Sequence, residues 1–373
     1  MVGRYCYFIG CRADQEAVTR HFEALAEELA HRGHRVIVIR EGRRVAIVEK
    51  PQGNPAILAW PSRWPTSPPD VRFLYRLIRR ERPHCLIGNF GTANLMITMG
   101  WLMRVPYRVA WHRTMSTAVF GDSRSPYKTW WREKRREIVY RLATHVAANS
   151  QSAAADAQQV YHVPPDKCFV FYESLADPLP GLPATPPNNQ PTAICVARLA
   201  PMKGQDTLIR AVALLQEDFP ALRVEFVGDG PQRQAYQHLA RQLGVADRCT
   251  FTGIVPHREV LTRMAAATVC VMPTRSEAFG LVNIEALAVG TPVIASCVGG
   301  IPEIIRDGQE GFLVPPDDPR ALADRLRIIL SDPVLRARMS QNARQRFLDH
   351  FELRTAIARE ADWFEALVGS RER

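Results

Sequence analysis

The chain has 373 residues, 46% of them hydrophobic and 23% charged, a balance that excludes an intrinsically disordered protein and, at about 100–200 residues per domain, predicts two domains. Its eight cysteines stand singly, at Cys6, Cys11, Cys85, Cys168, Cys195, Cys249, Cys270 and Cys297, mostly in apolar runs and with no CxxC pair, which argues against a disulfide or zinc framework and for a reducing cytoplasm. The net charge of +10 is lopsided: residues 1–175 hold 26 Lys and Arg against 15 Asp and Glu, whereas residues 176–373 hold 22 against 23.

The first apolar run, residues 5–9, reads as a strand and lacks the layout of a signal peptide. Asp14 is placed to cap a helix in which Val18, Phe22, Leu25 and Leu29 recur at spacings of 4, 3 and 4, and Gly33 closes it. Residues 36–39 are the next strand. His31 and His34 flank Gly33 with no third ligand in reach, so no metal site is expected. Arg72, Arg76, Arg79 and Arg80 line one helix face, with Leu74, Leu77 and Ile78 turned to the core. Strands follow at 85–87, 108–111, 145–148 and 168–172. The apolar stretch 93–103 falls short of the about 18 residues a membrane-spanning helix needs, so no crossing segment is expected. Residues 128–136 (KTWWREKRR) set five cations beside Trp130 and Trp131.

Short apolar runs alternating with amphipathic stretches are the pattern of βα units on a parallel sheet. The rhythm breaks at residues 177–191 (DPLPGLPATPPNNQP), whose prolines suit neither helix nor sheet interior. It restarts with strands at 194–196, 224–227, 269–271 and 293–295. From Pro319 the pattern is helical, ending in a helix over 351–367 with Leu353, Ile357 and Phe364 free to pack. The expected fold class is α/β, with domains at 1–176 and 192–350, a stiff linker over 177–191 and a terminal helical segment over 351–373. The cleft between the domains is the expected site.

Two segments carry chemistry. In residues 273–302 (PTRSEAFGLVNIEALAVGTPVIASCVGGIP) a strand ends near Pro273 and a helix begins near Gly280, with Glu277 in the loop and Glu285 inside the helix. Eight residues of continuous helix would separate those carboxylates by about 12 Å. That is too far for a paired hydrolase dyad at about 5–9.5 Å, but it suits two ends of one elongated ligand. Amides of Ala278, Phe279 and Gly280 at the helix start, with the positive end of its dipole, favour a phosphate. In the second segment Arg198 and Lys203 stand just past a strand end, where open α/β sheets bind ligands. Arg198 offers a bidentate fork and Lys203 a compact charge, the compensation a departing diphosphate requires. The VGDGP at 227–231 lacks the third glycine of a dinucleotide fingerprint and fits better as a loop of a sugar-nucleotide site.

These segments, in this order and about 80 residues apart, resemble the family 4 retaining glycosyltransferases of GT-B fold. The resemblance extends to RGHRV at 32–36, ANS at 148–150, VGDGP, GTPVIAS, GGIPEII and DGQEGFLVPPDD. It implies two Rossmann-like domains facing across a cleft, with the last helix crossing back to the first domain. It further implies that Glu277 faces the hydroxyls of the donor sugar and Glu285 binds the ribose. Arg198 and Lys203 then clamp the diphosphate, Gly228, Ala278, Phe279, Gly280 and Leu281 complete the donor site, and His112, just past the 108–111 strand, lies beside the sugar. No cofactor or metal is implied, since the nucleotide-sugar is itself a substrate.

The sequence departs from the family on the acceptor side. Gly10 is followed by Cys11, Arg12 and Ala13 where many members carry a second glycine; Gly10 and Arg12 are the acceptor-side residues the position implies. Where relatives often read YNGVD this chain has Tyr172-Glu-Ser-Leu-Ala-Asp177, and Glu173 sets an extra carboxylate near the expected cleft, opposing a diphosphate. Basic residues beside tryptophans suit an anionic headgroup region. Arg72, Arg76, Arg79, Lys128, Trp130, Trp131 and Arg135 are therefore expected to dock a cytoplasmic protein peripherally on the inner leaflet, with a glycan or lipid-linked acceptor in polysaccharide or glycolipid biosynthesis. No recognised nucleic-acid module accompanies the charge. The alternatives are a catalytically silent nucleotide-sugar-binding protein, suggested by the altered loops at Gly10 and Glu173, and a nicotinamide oxidoreductase on a doubly wound fold.

Overall fold

The computed structural model describes residues 5–11, 16–40, 50–62, 67–116, 126–183 and 190–370. The chain divides into two compact units, Met1–Leu175 with Leu353–Arg373, and Ala176–Glu352.

The first unit is built on a parallel sheet of seven strands in the order β3-β2-β1-β4-β5-β6-β7. These are β1 Cys6–Cys11, β2 Arg35–Arg40, β3 Ala56–Ala59, β4 Cys85–Gly88, β5 Tyr107–His112, β6 His145–Ala148 and β7 Cys168–Val170. Helices α1 Glu16–His31, α2 Pro68–Glu81, α3 Gly91–Leu102, α4 Pro126–Leu142 and α5 Gln151–Tyr161 alternate with the strands. All of β1 is buried, as a strand covered on both faces must be. Its alternate residues separate cleanly. Tyr7 and Ile9 join a core with Phe22, Leu25 and Leu29 of α1, while Phe8 faces Leu74 and Leu77 of α2 and Met96 and Met99 of α3.

The last helix, α13 (Leu353–Gly369), belongs to this first unit. Ile357, Ala361, Phe364 and Val368, spaced 4, 3 and 4, enter the core that α1 covers. Burial of Ile357, Phe364 and Val368 contributes about 1.5–3 kcal/mol each relative to exposure. Polar ties reinforce it: Arg32 reaches Asp362 and Glu365 at 2.6 and 2.9 Å, and His34 meets Glu365 at 2.6 Å.

The second unit has six parallel strands in the order β10-β9-β8-β11-β12-β13. They are β8 Thr192–Val196, β9 Arg223–Val227, β10 Cys249–Gly253, β11 Val269–Met272, β12 Val293–Ser296 and β13 Gly311–Val314. Its helices are α6 Gln205–Leu214, α7 Arg233–Gln242, α8 His257–Ala266, α9 Leu281–Ala288, α10 Ile301–Ile304, α11 Pro319–Ser331 and α12 Pro333–Arg346. In each sheet the chain winds outward from its first strand and then returns to that strand's other side. The switch points therefore lie between β1 and β4 and between β8 and β11, where α/β sheets open a crevice at their carboxyl edge.

The structure adds three strands to the sequence reading, β3, β10 and β13, and all three are sheet edges. β3 and β10 are short and half-wet, so they lack the continuous apolar run that marks a central strand, whereas β13 is mostly buried but only four residues long. The proline-dense stretch is not wholly a spacer. Asp177 is gripped by both terminal nitrogens of Arg344 at 2.9 and 2.5 Å, and the Gly181 carbonyl accepts from Arg258 at 2.9 Å, which fastens the start of that stretch to the second unit. Among the described residues no helix is long and apolar enough to cross a membrane. The expected cap Asp14 and the acceptor-side residue Arg12 lie outside the described residues, as does the side chain of Lys128.

Candidate functional site

At the switch point of the second sheet, the loop after β8 meets the loop after β11. Gly204 holds φ at +66°, and a Cβ there would collide with the Pro273 carbonyl, so only glycine lets the two loops approach this closely. The contact is stitched by the Arg275 amide and the Thr274 hydroxyl, which donate to the Met202 carbonyl at 2.9 and 3.0 Å. Lys203 and Glu277, 74 residues apart, are thereby brought together, with Lys203 Nζ 2.7 Å from Glu277 Oε2. Gly299, at φ +53°, packs against the Glu277 carbonyl in the same glycine-only manner and fixes the backbone of that acid.

A third loop, after β9, is tied to the first. The Leu199 amide donates to the Asp229 carbonyl at 3.1 Å, and the Gln232 amide to the Leu199 carbonyl at 3.1 Å. Gly228 of this loop donates its amide to Gly253 at 2.9 Å. Arg198 is exposed, forms no ion pair with another described residue, and has its carbonyl held by the Gln205 side chain at 3.0 Å.

Helix α9 begins at Leu281 with Gly280 as its N-cap, as the sequence predicts. Two details differ. The Phe279 ring is buried, 6.1 Å from that of Phe351, so only the backbone of this residue can meet a ligand. Glu285 lies in the second turn of α9, with only the last steps from Glu277 helical, so the continuous-helix separation does not apply. It is nearly buried, and its Oε1 sits 2.8 Å from His257 Nε2. Each acid of the motif thus has its own basic partner, Lys203 or His257. Sequence reasoning missed His257; its one signal is a position at the helix start following β10. The side-chain amide of Asn283, also buried, has no hydrogen-bond partner among the described residues.

The first unit fixes the surroundings of the acceptor-side glycine and of the histidine. Gly10 is not a loop residue: it is buried within β1 and packs against Thr92 and Met96 of α3, where any side chain would clash. His112 is the last residue of β5, not past it, and both ring nitrogens are used, Nδ1 at 2.8 Å from the Tyr140 hydroxyl and Nε2 at 3.2 Å from Asp156. Burial outweighs the Asp156 hydrogen bond and pulls the imidazole below its ordinary pKa, which favours the neutral ring. With Nε2–H donating to the carboxylate, Nδ1 accepts from Tyr140. Burial acts upward on Asp156, yet hydrogen bonds from His112 and Ser116 hold its carboxyl below the usual range. Glu173 is not a loose charge either. Arg113 Nη2 lies 2.9 Å from its Oε1, and Asn149 donates to the same oxygen at 2.7 Å.

Comparison with known proteins agrees with this architecture. Residues 183–346 match the family model described as glycosyl transferases group 1, and residues 18–174 match that of glycosyltransferase family 4. The D-inositol 3-phosphate glycosyltransferase of Corynebacterium efficiens is 35% identical over 271 residues, 66% of this chain and 63% of the relative. That of Thermobifida fusca is 31% identical over 297 residues, 72% of this chain and 67% of the relative. The chain thus spans less than two thirds of the first relative's length. Anabaena HepE, solved in complex with UDP, shares the fold with a TM-score of 0.77 at 19% identity, over 97% of this chain and 100% of HepE. Matched in both halves by its family's models, and carrying two doubly wound sheets with the acid pair beside the switch point of the second, the chain belongs to the family 4 glycosyltransferases of GT-B fold.

Proposed function

We propose that this protein is a retaining glycosyltransferase that moves a hexose-type sugar from a nucleotide-diphosphate donor to a glycan or lipid-linked acceptor in cell-surface polysaccharide or glycolipid synthesis. The observation that carries the reading is the Lys203–Glu277 pair at the switch point, 2.7 Å apart. The names of the relatives, and the UDP bound to HepE, are consistent with it.

In this reading the second unit holds the donor. Lys203 and Arg198 meet the diphosphate, with the backbone at Ala278, Phe279, Gly280 and Leu281 and the positive end of α9 adding to the field. Glu277 accepts from the sugar hydroxyls, Glu285 from the ribose, and the backbone at Gly228 lies against the nucleotide. The acceptor oxygen bonds to the anomeric carbon from the face the diphosphate leaves, the carbon–oxygen bond to phosphate breaks, and the acceptor's proton passes to the departing phosphate oxygen. Two cations suffice to offset the developing charge without a metal. His112 lies beside the sugar in this reading, held in place by Tyr140 and Asp156.

The basic, aromatic face of α4, with Tyr127, Trp130, Trp131, Arg132 and Arg135 exposed, supports peripheral docking on an anionic leaflet. Equal recovery with neutral and anionic vesicles would remove that part. The central test is turnover of ADP-, GDP- and UDP-sugars with proton NMR of the product's anomeric centre. Net inversion, or binding without transfer to any acceptor, contradicts the proposal.

A further inference from the structure

The edge strand β10 ends at Gly253, at φ +80°, and Pro256 caps the start of α8, whose first residue is His257. The Gly253 carbonyl accepts from the Gly228 amide at 2.9 Å, which joins this turn to the loop after β9. Buried Val260, Leu261 and Met264 seat α8 in the second unit. At its far end the Thr291 hydroxyl, just past α9, donates to the Met264 carbonyl at 2.7 Å, in a buried bond. Helices α8 and α9 are thereby fastened together at residues other than His257, and the start of α8 is held in place.

From that fixed position His257 Nε2 lies 2.8 Å from Glu285 Oε1. A carboxylate only accepts, so the ring nitrogen carries the hydrogen. The two side chains differ in setting: the imidazole is 50% exposed and the acid 11%. An ion pair on open surface contributes little, but Glu285 is not on open surface, and an enclosed carboxylate is costly unless its oxygens are bonded. Among the described residues only His257 donates to this carboxylate. One oxygen is therefore anchored, and the other has no donor there.

We infer that His257 is a positioning residue for nucleotide binding: by holding Oε1 it aims the Glu285 carboxylate at the ribose hydroxyls, and so sets the preference for a ribonucleotide over one that lacks them. The inference rests on the reading above in which Glu285 accepts from the ribose. Neighbouring hydroxyls on a sugar ring bond together only to a carboxylate in one orientation, and an acid already held there loses less side-chain freedom on binding. His257 acts through Glu285 and needs no contact with the nucleotide. Its contribution is therefore confined to ligands that carry the ribose hydroxyls.

Calorimetric titration of the full chain with ADP, GDP and UDP, and with the 2′,3′-dideoxy form of each, tests this, after thermal melts show that the variants fold. The wild type prefers the ribonucleotide. His257→Ala weakens the tightest ribonucleotide about 10-fold and leaves its dideoxy counterpart unchanged, so the preference narrows. His257→Gln keeps an N–H donor and restores it. In the Glu285→Ala background the further change His257→Ala alters nothing, because the group it positions is gone. Equal loss of both nucleotide forms in His257→Ala, a glutamine variant no better than alanine, or additive losses in the double variant overturns the inference and leaves Glu285 on the ribose. A wild type that binds both forms equally, or neither, removes the ribose assignment itself and this inference with it.

Discussion

Replacing Lys203 and Glu277 one at a time should move nucleotide affinity in opposite directions. The side chains of the pair are 29% and 21% exposed, and a pair that open to water contributes about 0–1 kcal/mol to stability. For a unit of this size that is a melting shift of no more than about 2–4 °C, so both alanine variants fold. The effect on a diphosphate is larger. A hydrogen bond to a charged group contributes about 1.5–3 kcal/mol, so Lys203→Ala weakens binding of the free nucleotide diphosphate by roughly 10- to 150-fold. Glu277→Ala removes the carboxylate that competes for Lys203 and repels phosphate. Unit charges 4 Å apart interact by about 1 kcal/mol in water and about 4 at an effective dielectric of 20, so affinity for the free nucleotide holds or rises. Sugar transfer by Glu277→Ala nevertheless falls, because the acid that receives the sugar hydroxyls is gone. ADP, GDP and UDP are titrated calorimetrically into the wild type, and the tightest is used with both variants, alongside single-turnover transfer. Equal loss of nucleotide affinity in the two variants, or loss in neither, refutes the assignment of cation to leaving group and acid to sugar.

The buried His112 makes stability depend on pH. Its folded pKa lies below the unfolded value of about 6.5, so under that pH the unfolded chain binds a proton the folded chain refuses, and stability is lost as pH falls. Asp156, also depressed when folded, adds a further loss in the acid range below about pH 4. Thermal melts from pH 7.5 to 5.5 should drop, and His112→Gln should flatten the profile; an unchanged slope rejects the argument. Gly204→Ala forces a left-handed backbone on an ordinary residue, costing about 1–2 kcal/mol, and drives its methyl into the Pro273 carbonyl. A lower melting temperature together with weaker nucleotide binding is the expected result, and wild-type values for both contradict it.

The donor loops were legible because each is a contiguous stretch. A β-strand ends, charged residues follow within a few positions, and a glycine stands in the same short stretch, as in 196–204 and 273–285. The spacing of Ile357 and Phe364 likewise marked the last helix as amphipathic. Its destination did not follow from that stripe; the family resemblance supplied it, and the core shared with α1 shows it within the first unit. The edge strands β3 and β10 escaped notice because a half-covered strand needs only a few apolar residues.

What stayed hidden was the pairing. Glu173 looked like an unwelcome charge because nothing local shows that Arg113, 60 residues earlier, neutralises it. His112, which the family resemblance sets beside the sugar, gave no sign of its partners Tyr140 and Asp156, which lie 28 and 44 residues away. Gly10 read as a loop residue until α3 was seen packed upon it. By itself the sequence determined the alternation of strands and helices, the proline break and the identity of the charged loops, all of which depend on neighbours along the chain. Only the tertiary structure decided which charges meet, since strand order and register set those distances, and a charge is defined chemically by what stands within a few ångströms of it.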